Sequence, residues 1–128
     1  MKVVKTLSRV VLGVLYILAG VNHFVNSAFY LNIMPPYLPW HGPFVFLSGV
    51  AEVLLGALVL IPRWSVPAAW GLIALLVAIF PANIHMAFHP ALYPTISQTA
   101  LWLRLPLQGV LVLWAWWHTT PQGPRDLV

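Results

Sequence analysis

Residues Pro43 to Ile61 read PFVFLSGVAEVLLGALVLI, nineteen positions with a single charge, Glu52. At about 1.5 Å per residue, such a stretch covers the apolar core of a bilayer, about 30 Å thick. Three further stretches have the same character: Leu7 to Val25, Val66 to Met86 and Ala100 to His118. The whole chain agrees. Hydrophobic residues make up 61% of its 128 positions and charged residues 6%, against about 25% charged in a soluble domain. So few charges cannot cover a water-exposed globule, and a disordered chain would need the reverse composition. With no Cys, a disulfide framework, a thiol nucleophile and a thiolate metal site are all excluded. The expectation is an all-α, four-helix transmembrane bundle forming one integral-membrane domain over residues 1–128.

Proline punctuates the spans. Pro43 and Pro67 fall in first helical turns, where the missing N–H is harmless, and Pro121 and Pro124 follow the fourth span. Pro81 and Pro106 lie inside spans and free the carbonyls of Val77 and Trp102, so the third and fourth helices are expected to kink. Lys2, Lys5, Arg9, Arg63 and Arg125 are assigned to the two tails and the short second connection, while the two longer connections, 26–42 and 87–99, carry no Lys or Arg. The positive-inside rule then puts both termini in the cytoplasm of a multi-pass protein of the cytoplasmic membrane. The charge excess reports orientation, and no basic stripe supports nucleic-acid binding. All seven Trp fall near span ends, as an aromatic belt requires. Lys2 and Lys5 before an apolar run resemble a signal peptide, but the run is long for an h-region of roughly 7–15 residues and reads as the first span. Small residues at Ala74, Ala78 and Ala82, and at Gly49 and Gly56, read as helix-packing positions.

Polar residues converge at one depth. Glu52 and Arg104 lie in the outer halves of the second and fourth spans, Gln108 is one turn beyond Arg104, Asn22 and His23 end the first span, and Asn83 and His85 end the third. An ionisable group in mid-membrane costs about 2.5–3.5 kcal/mol or more on insertion scales and marks a functional site by default. A Glu52–Arg104 ion pair is the simplest expectation, either as a register device or as part of a cavity. The surplus of Asn22, His23, Asn83 and Gln108 favours a cavity open to the outer side. Tyr16 shares a face with Gly20 and His23, and Ser48 shares one with Glu52. Asn83 and His85 point about 200° apart on an ideal helix, so Asn83 is placed inside, where it could also satisfy the carbonyl that Pro81 releases. His85 and His89, four apart, form a subsidiary metal or haem alternative. The run Met34 to Trp40 reads as a stiff aromatic connector or a cap over the cavity mouth.

The segments Gly20-Val21-Asn22-His23-Phe24, Met34 to Pro39, Ser48-Gly49-Val50-Ala51-Glu52 with Leu55-Gly56, Phe80-Pro81-Ala82-Asn83-Ile84 with Met86-Ala87, and Arg104-Leu105-Pro106-Leu107-Gln108 together resemble the DoxX-like family of small four-helix membrane proteins. The similarity runs from about Arg9 to Trp117. It implies a bundle in a bacterial cytoplasmic membrane, and a group that includes membrane subunits of thiosulfate and quinone oxidoreduction, proteins of oxidative-stress complexes and receptor-assembly chaperones. The absence of Cys argues against a thiol role, and no flavin, nicotinamide or iron–sulfur motif is present, so no cofactor is implied. The expected function is binding of a small polar or amphipathic molecule, a quinone or a lipid head group, by a non-autonomous accessory subunit of a redox or envelope process. Arg104 would hold an anionic or carbonyl oxygen, Glu52 would position Arg104 or take a proton, and the remaining polar residues would complete the hydrogen bonding. The alternatives are a structural or assembly protein without ligand and a small transporter. A membrane-protein partner or homo-oligomer fits each of these readings.

Overall fold

The computed structural model describes residues 2–34, 36, 39–94 and 96–120, and among them the chain is entirely helical. The order is α1 Lys2–Val25, α2 Ser27–Ile33, α3 His41–Leu60, α4 Ser65–Phe88 and α5 Gln98–Trp117, with 3₁₀ turns at Pro62–Trp64 and Pro90–Leu92. The four long helices coincide with the four apolar stretches to within a few residues. The additional element is α2, where the sequence pattern suggested only a connector. It stops at Met34, whose extended backbone (φ −67°, ψ 136°) is what a following proline enforces. At the start of α5, the Ser97 side chain accepts the Ala100 N–H at 3.1 Å and caps the first turn. The helices continue through Pro81 in α4 and Pro106 in α5. Tyr37, one of the aromatic residues of the expected cap, lies outside the described residues.

Three segments are long and apolar enough to cross a membrane, Val3–Val25, His41–Leu60 and Pro62–Phe88. Their outward faces are apolar: Leu7, Leu54 and Val77 are each more than half exposed, the inverse of a soluble fold and the surface that lipid would cover.

α1 packs most extensively on α3, α4 on α5, and α3 joins the two pairs through α4. The α1–α3 contact is a backbone contact. A Cβ added to Gly13 would sit 2.7 Å from the Gly56 carbonyl oxygen, and one added to Gly20 would sit 2.7 Å from that of Gly49. The two pairs run antiparallel, and only glycine permits this approach, the packing mode favoured where lipid removes the hydrophobic drive between helices. Gly49 and Gly56 are therefore packing positions, as their spacing suggests. The alanine series is not: Ala74 and Ala78 are exposed, and Ala78 and Ala82 line a cavity instead of a helix seam. Around the level of the Gly13–Gly56 pair, an apolar cluster of Leu12, Tyr16, Val59, Ala68, Leu72 and Ala115 closes the bundle.

The end of the bundle carrying the short α3–α4 connection is less apolar than the sequence suggests. Arg9 belongs to α1, not to a tail; it is 8% exposed, and its Nη1 donates to the Val59 carbonyl at 2.8 Å. It thus serves one of the last carbonyls of α3, which lack partners within their own helix. Trp114 Nε1 donates to Ser8 Oγ at 2.7 Å, leaving the Ser8 hydroxyl to face His118 Nε2 at 3.0 Å. Lys5 Nζ donates to the Thr120 carbonyl and hydroxyl at 2.8 and 2.9 Å. His118, the last residue of the fourth apolar stretch, is accordingly an interior residue, 3% exposed.

Gly13→Ala is expected to lower stability by about 1–3 kcal/mol, the usual range for overpacking. Gly42→Ala, whose added Cβ meets nothing within 4 Å, should leave it unchanged. Thermal unfolding of both variants in detergent measures the difference, and equal melting temperatures would contradict the close α1–α3 approach.

Candidate functional site

At the opposite end of the bundle, the end bearing α2, a cavity of about 450 Å³ is bordered by all five helices. This size lies within the ~300–1,000 Å³ of small-molecule sites. Its walls are largely apolar, with Leu75, Ala78, Ile79 and Ala82 of α4 forming one side. Four of the sequence-derived candidates reach it: His23 from α1, Glu52 from α3, Asn83 from α4 and Arg104 from α5. The convergence in depth expected from four separate helices thus corresponds to the walls of one partly open cavity.

The expected Glu52–Arg104 ion pair is not formed. Glu52 Oε2 lies 3.2 Å from His23 Nε2, the one ion-pair contact among the described residues. The cause is the glycine contact. The Cβ of His23 lies 2.9 Å from where a Cβ would stand on Gly49, so the imidazole is delivered beside Glu52, one turn further along α3. Arg104 is carried by α5, whose principal neighbour is α4, and its Nε donates to Asn83 Oδ1 at 3.3 Å.

Two polar networks result. On the α1–α3 side, His23 Nδ1 is 3.3 Å from the Val45 carbonyl. A carbonyl can only accept, so Nδ1 carries a proton and Nε2 faces the carboxyl. The Glu52 oxygen is buried and out of line for a hydrogen bond with the ring. Tyr30 of α2 stacks on His23 with centroids 3.9 Å apart, and Asn22 Nδ2 donates to Tyr30 Oη at 2.8 Å. Asn26 in turn donates to Asn22 Oδ1. On the α4–α5 side, Asn83 Nδ2 donates to Gln108 Oε1 at 2.5 Å, and Gln108 Nε2 donates to the Leu76 carbonyl, in the turn before Pro81. Asn83 is therefore committed to Gln108 and Arg104 and does not serve the carbonyl of Val77; Gln108 supports the proline turn.

Asn22, Gln108 and Tyr16 stand behind the cavity wall. Asn22 holds Tyr30, Gln108 holds Asn83, and Tyr16 is packed in the dry cluster with its hydroxyl buried and without a hydrogen-bond partner. His85 and His89 lie apart from the cavity. Their rings stack at 4.3 Å, with His85 Nδ1 near Tyr93 Oη at 3.1 Å and His89 Nδ1 near the His85 carbonyl at 2.9 Å. Among the described residues no group of three or more His, Cys, Asp or Glu side chains is placed to hold a metal ion. Tyr30 is a lining residue that sequence reasoning passed over, and Met34, the first residue of the expected connector or cap, also borders the cavity. The one signal for Tyr30 is its spacing four residues before Met34, which puts it on the side of α2 towards that run.

The family comparison bears on the same segment. The Domain of unknown function (DUF8561) matches residues 12–119. The chain belongs to this family. In this member the matched segment contains every cavity-lining residue together with the dry cluster beneath them. No curated protein and no solved structure matches the chain.

Asn83→Ala would strip Arg104 of its acceptor and Gln108 of its donor, and a buried orphaned polar group costs about 1–3 kcal/mol. The variant should melt below the parent, and combining it with Gln108→Ala should be non-additive by about 0.5–3 kcal/mol. A double-mutant cycle in detergent checks this; strict additivity would argue against the network.

Proposed function

We propose that this chain is a four-span protein of the cytoplasmic membrane whose outward-facing cavity binds a small amphipathic molecule, a quinone or a lipid head group. On this reading it acts as an accessory subunit of a redox or envelope process. The observation that carries the reading is the joint presence of His23, Glu52, Asn83 and Arg104 on the walls of one largely apolar cavity. That composition, many apolar contacts with a few convergent polar groups, is what small-molecule sites use to bind and orient a ligand. Arg104 offers donors to an anionic or carbonyl oxygen, and the His23–Glu52 pair can accept or return a proton. Ser48 adds a hydroxyl.

The resemblance to DoxX-like proteins supports an accessory role, alone or with a membrane partner. A permeation path has less support, since Leu12, Val59 and Leu72, all fully buried, fill the centre between the cavity and the far end. The fourth span on this reading is α5, which presents Leu103, Leu107, Val110 and Leu113 outward. The Lys and Arg distribution supports cytoplasmic termini.

Two measurements test the proposal. Short-chain quinones and phospholipids should raise the melting temperature of the purified protein, and the shift should vanish in Arg104→Ala while the fold is kept; absence of any shift with the parent protein would sink the binding reading. For topology, the natural absence of Cys permits single-cysteine mapping. A membrane-impermeant maleimide should label Gly42→Cys in intact cells and Arg63→Cys only after permeabilisation; the opposite pattern would invert the orientation.

A further inference from the structure

We infer that the cavity selects an amphiphile whose head group carries net negative charge, a phosphate or carboxylate, over neutral and zwitterionic ones, and that a proton retained on either member of the His23–Glu52 pair sets this preference. The inference deepens the binding reading above and rests on it.

The argument is a charge count at one site. His23 Nδ1 must be an N–H because its partner is the Val45 carbonyl. An unprotonated Nε2 and a carboxylate oxygen would then lie 3.2 Å apart, two electron-rich atoms with no proton between them, which is repulsive whatever their alignment. The pair therefore retains one proton, on Nε2 or on Oε2, and either arrangement is electrically neutral. Arg104 is left as the uncompensated charge of the cavity. Its one hydrogen bond goes to the neutral Asn83 amide, and among the described residues no carboxylate stands within ion-pair distance of it. The other acid of the chain, Asp126, lies outside the described residues. A partly buried guanidinium beside apolar walls without a counter-ion is unfavourable, and an anionic oxygen between its remaining donors corrects this with charge-assisted hydrogen bonds. The apolar wall of α4 suits the hydrocarbon part of the same molecule.

The groups facing Glu52 determine the pH behaviour. α1 contributes His23, with Tyr16 in electrostatic reach. α2 contributes Tyr30, α5 contributes Arg104, and the lining residues of α4 include no titratable side chain. When rising pH removes the retained proton, the site gains a negative charge and expels the anion it had accepted. Anion affinity should thus fall on the alkaline side, and Glu52→Gln, which cannot lose a proton at this position, should abolish that fall.

The test titrates purified full-length protein in neutral detergent with phosphatidylglycerol, a long-chain fatty acid, phosphatidylcholine and a decyl benzoquinone, from mildly acidic to mildly alkaline buffer. Phosphatidylglycerol or the fatty acid should bind more tightly than the other two; which of them binds better identifies phosphate or carboxylate as the source of the charge. Arg104→Gln, which keeps a donor for Asn83 but removes the charge, should weaken anion binding by about thirtyfold or more, the scale of losing one partner of a desolvated charge pair. Arg104→Lys should retain the preference, which separates loss of charge from loss of fold. Binding of the quinone or of phosphatidylcholine equal to that of the anions overturns the inference and leaves the cavity reading standing. Anion binding unaffected by Arg104→Gln, or an alkaline fall that persists in Glu52→Gln, also overturns it. Binding of none of the four overturns both readings.

Discussion

The contact between the α1 and α3 backbones governs the rest of the arrangement. Because Gly13 faces Gly56 and Gly20 faces Gly49 without intervening side chains, the two helices stand closer than side-chain packing allows. Two effects follow from the same contact. His23 is delivered beside Glu52, and the cavity opens between this pair and α4, where Ala78 and Ala82 present little bulk to it. A larger residue at either glycine pair would separate the helices and remove the imidazole from the carboxyl. The glycines therefore act on the chemistry of the site through spacing alone.

Which parts were legible in the sequence follows from physical scale. Span positions depend on solvation, summed over about twenty residues, and the helices coincide with the apolar stretches accordingly. The depth of Glu52, Asn83, His23 and Arg104 depends on distance along each helix, and that too could be read, since all four line one cavity. Partner choice was not legible. Which of two donors meets Glu52 is set by which helix lies beside α3, information that neither period nor composition carries. Tyr30 escaped because seven residues of α2 form too short a pattern to distinguish from a connector. Arg9 escaped for a different reason: near the end of a span a basic residue satisfies the positive-inside count equally well whether it faces water or caps a neighbouring helix.

The polar groups of the two ends are used differently. Towards the α3–α4 connection, Arg9, Ser8 and Lys5 meet groups of α3 and of the C-terminal end of α5 and the residues after it, so that much of the polarity there is spent within the protein, although Arg9 Nε is buried without a partner. At the other end His23, Asn83 and Arg104 are held in orientation by their partners while still bordering open space. An interior end and a receptive end result from the same few residue types, separated by the dry cluster around Leu12 and Leu72.

The junction of Ser8 with Trp114 and His118 also bears on biogenesis. Its partners are 106 and 110 positions apart in the chain, so the first helix to leave the ribosome meets its complement only when the last has been made. At roughly 5–20 residues per second this interval is about 5–20 s. Throughout it Ser8 lacks both of these partners, whereas Arg9 can meet the Val59 carbonyl as soon as α3 has been made. Closure of the bundle at that end is a late event, and a chain ending before α5 would leave the Ser8 hydroxyl without Trp114 and His118.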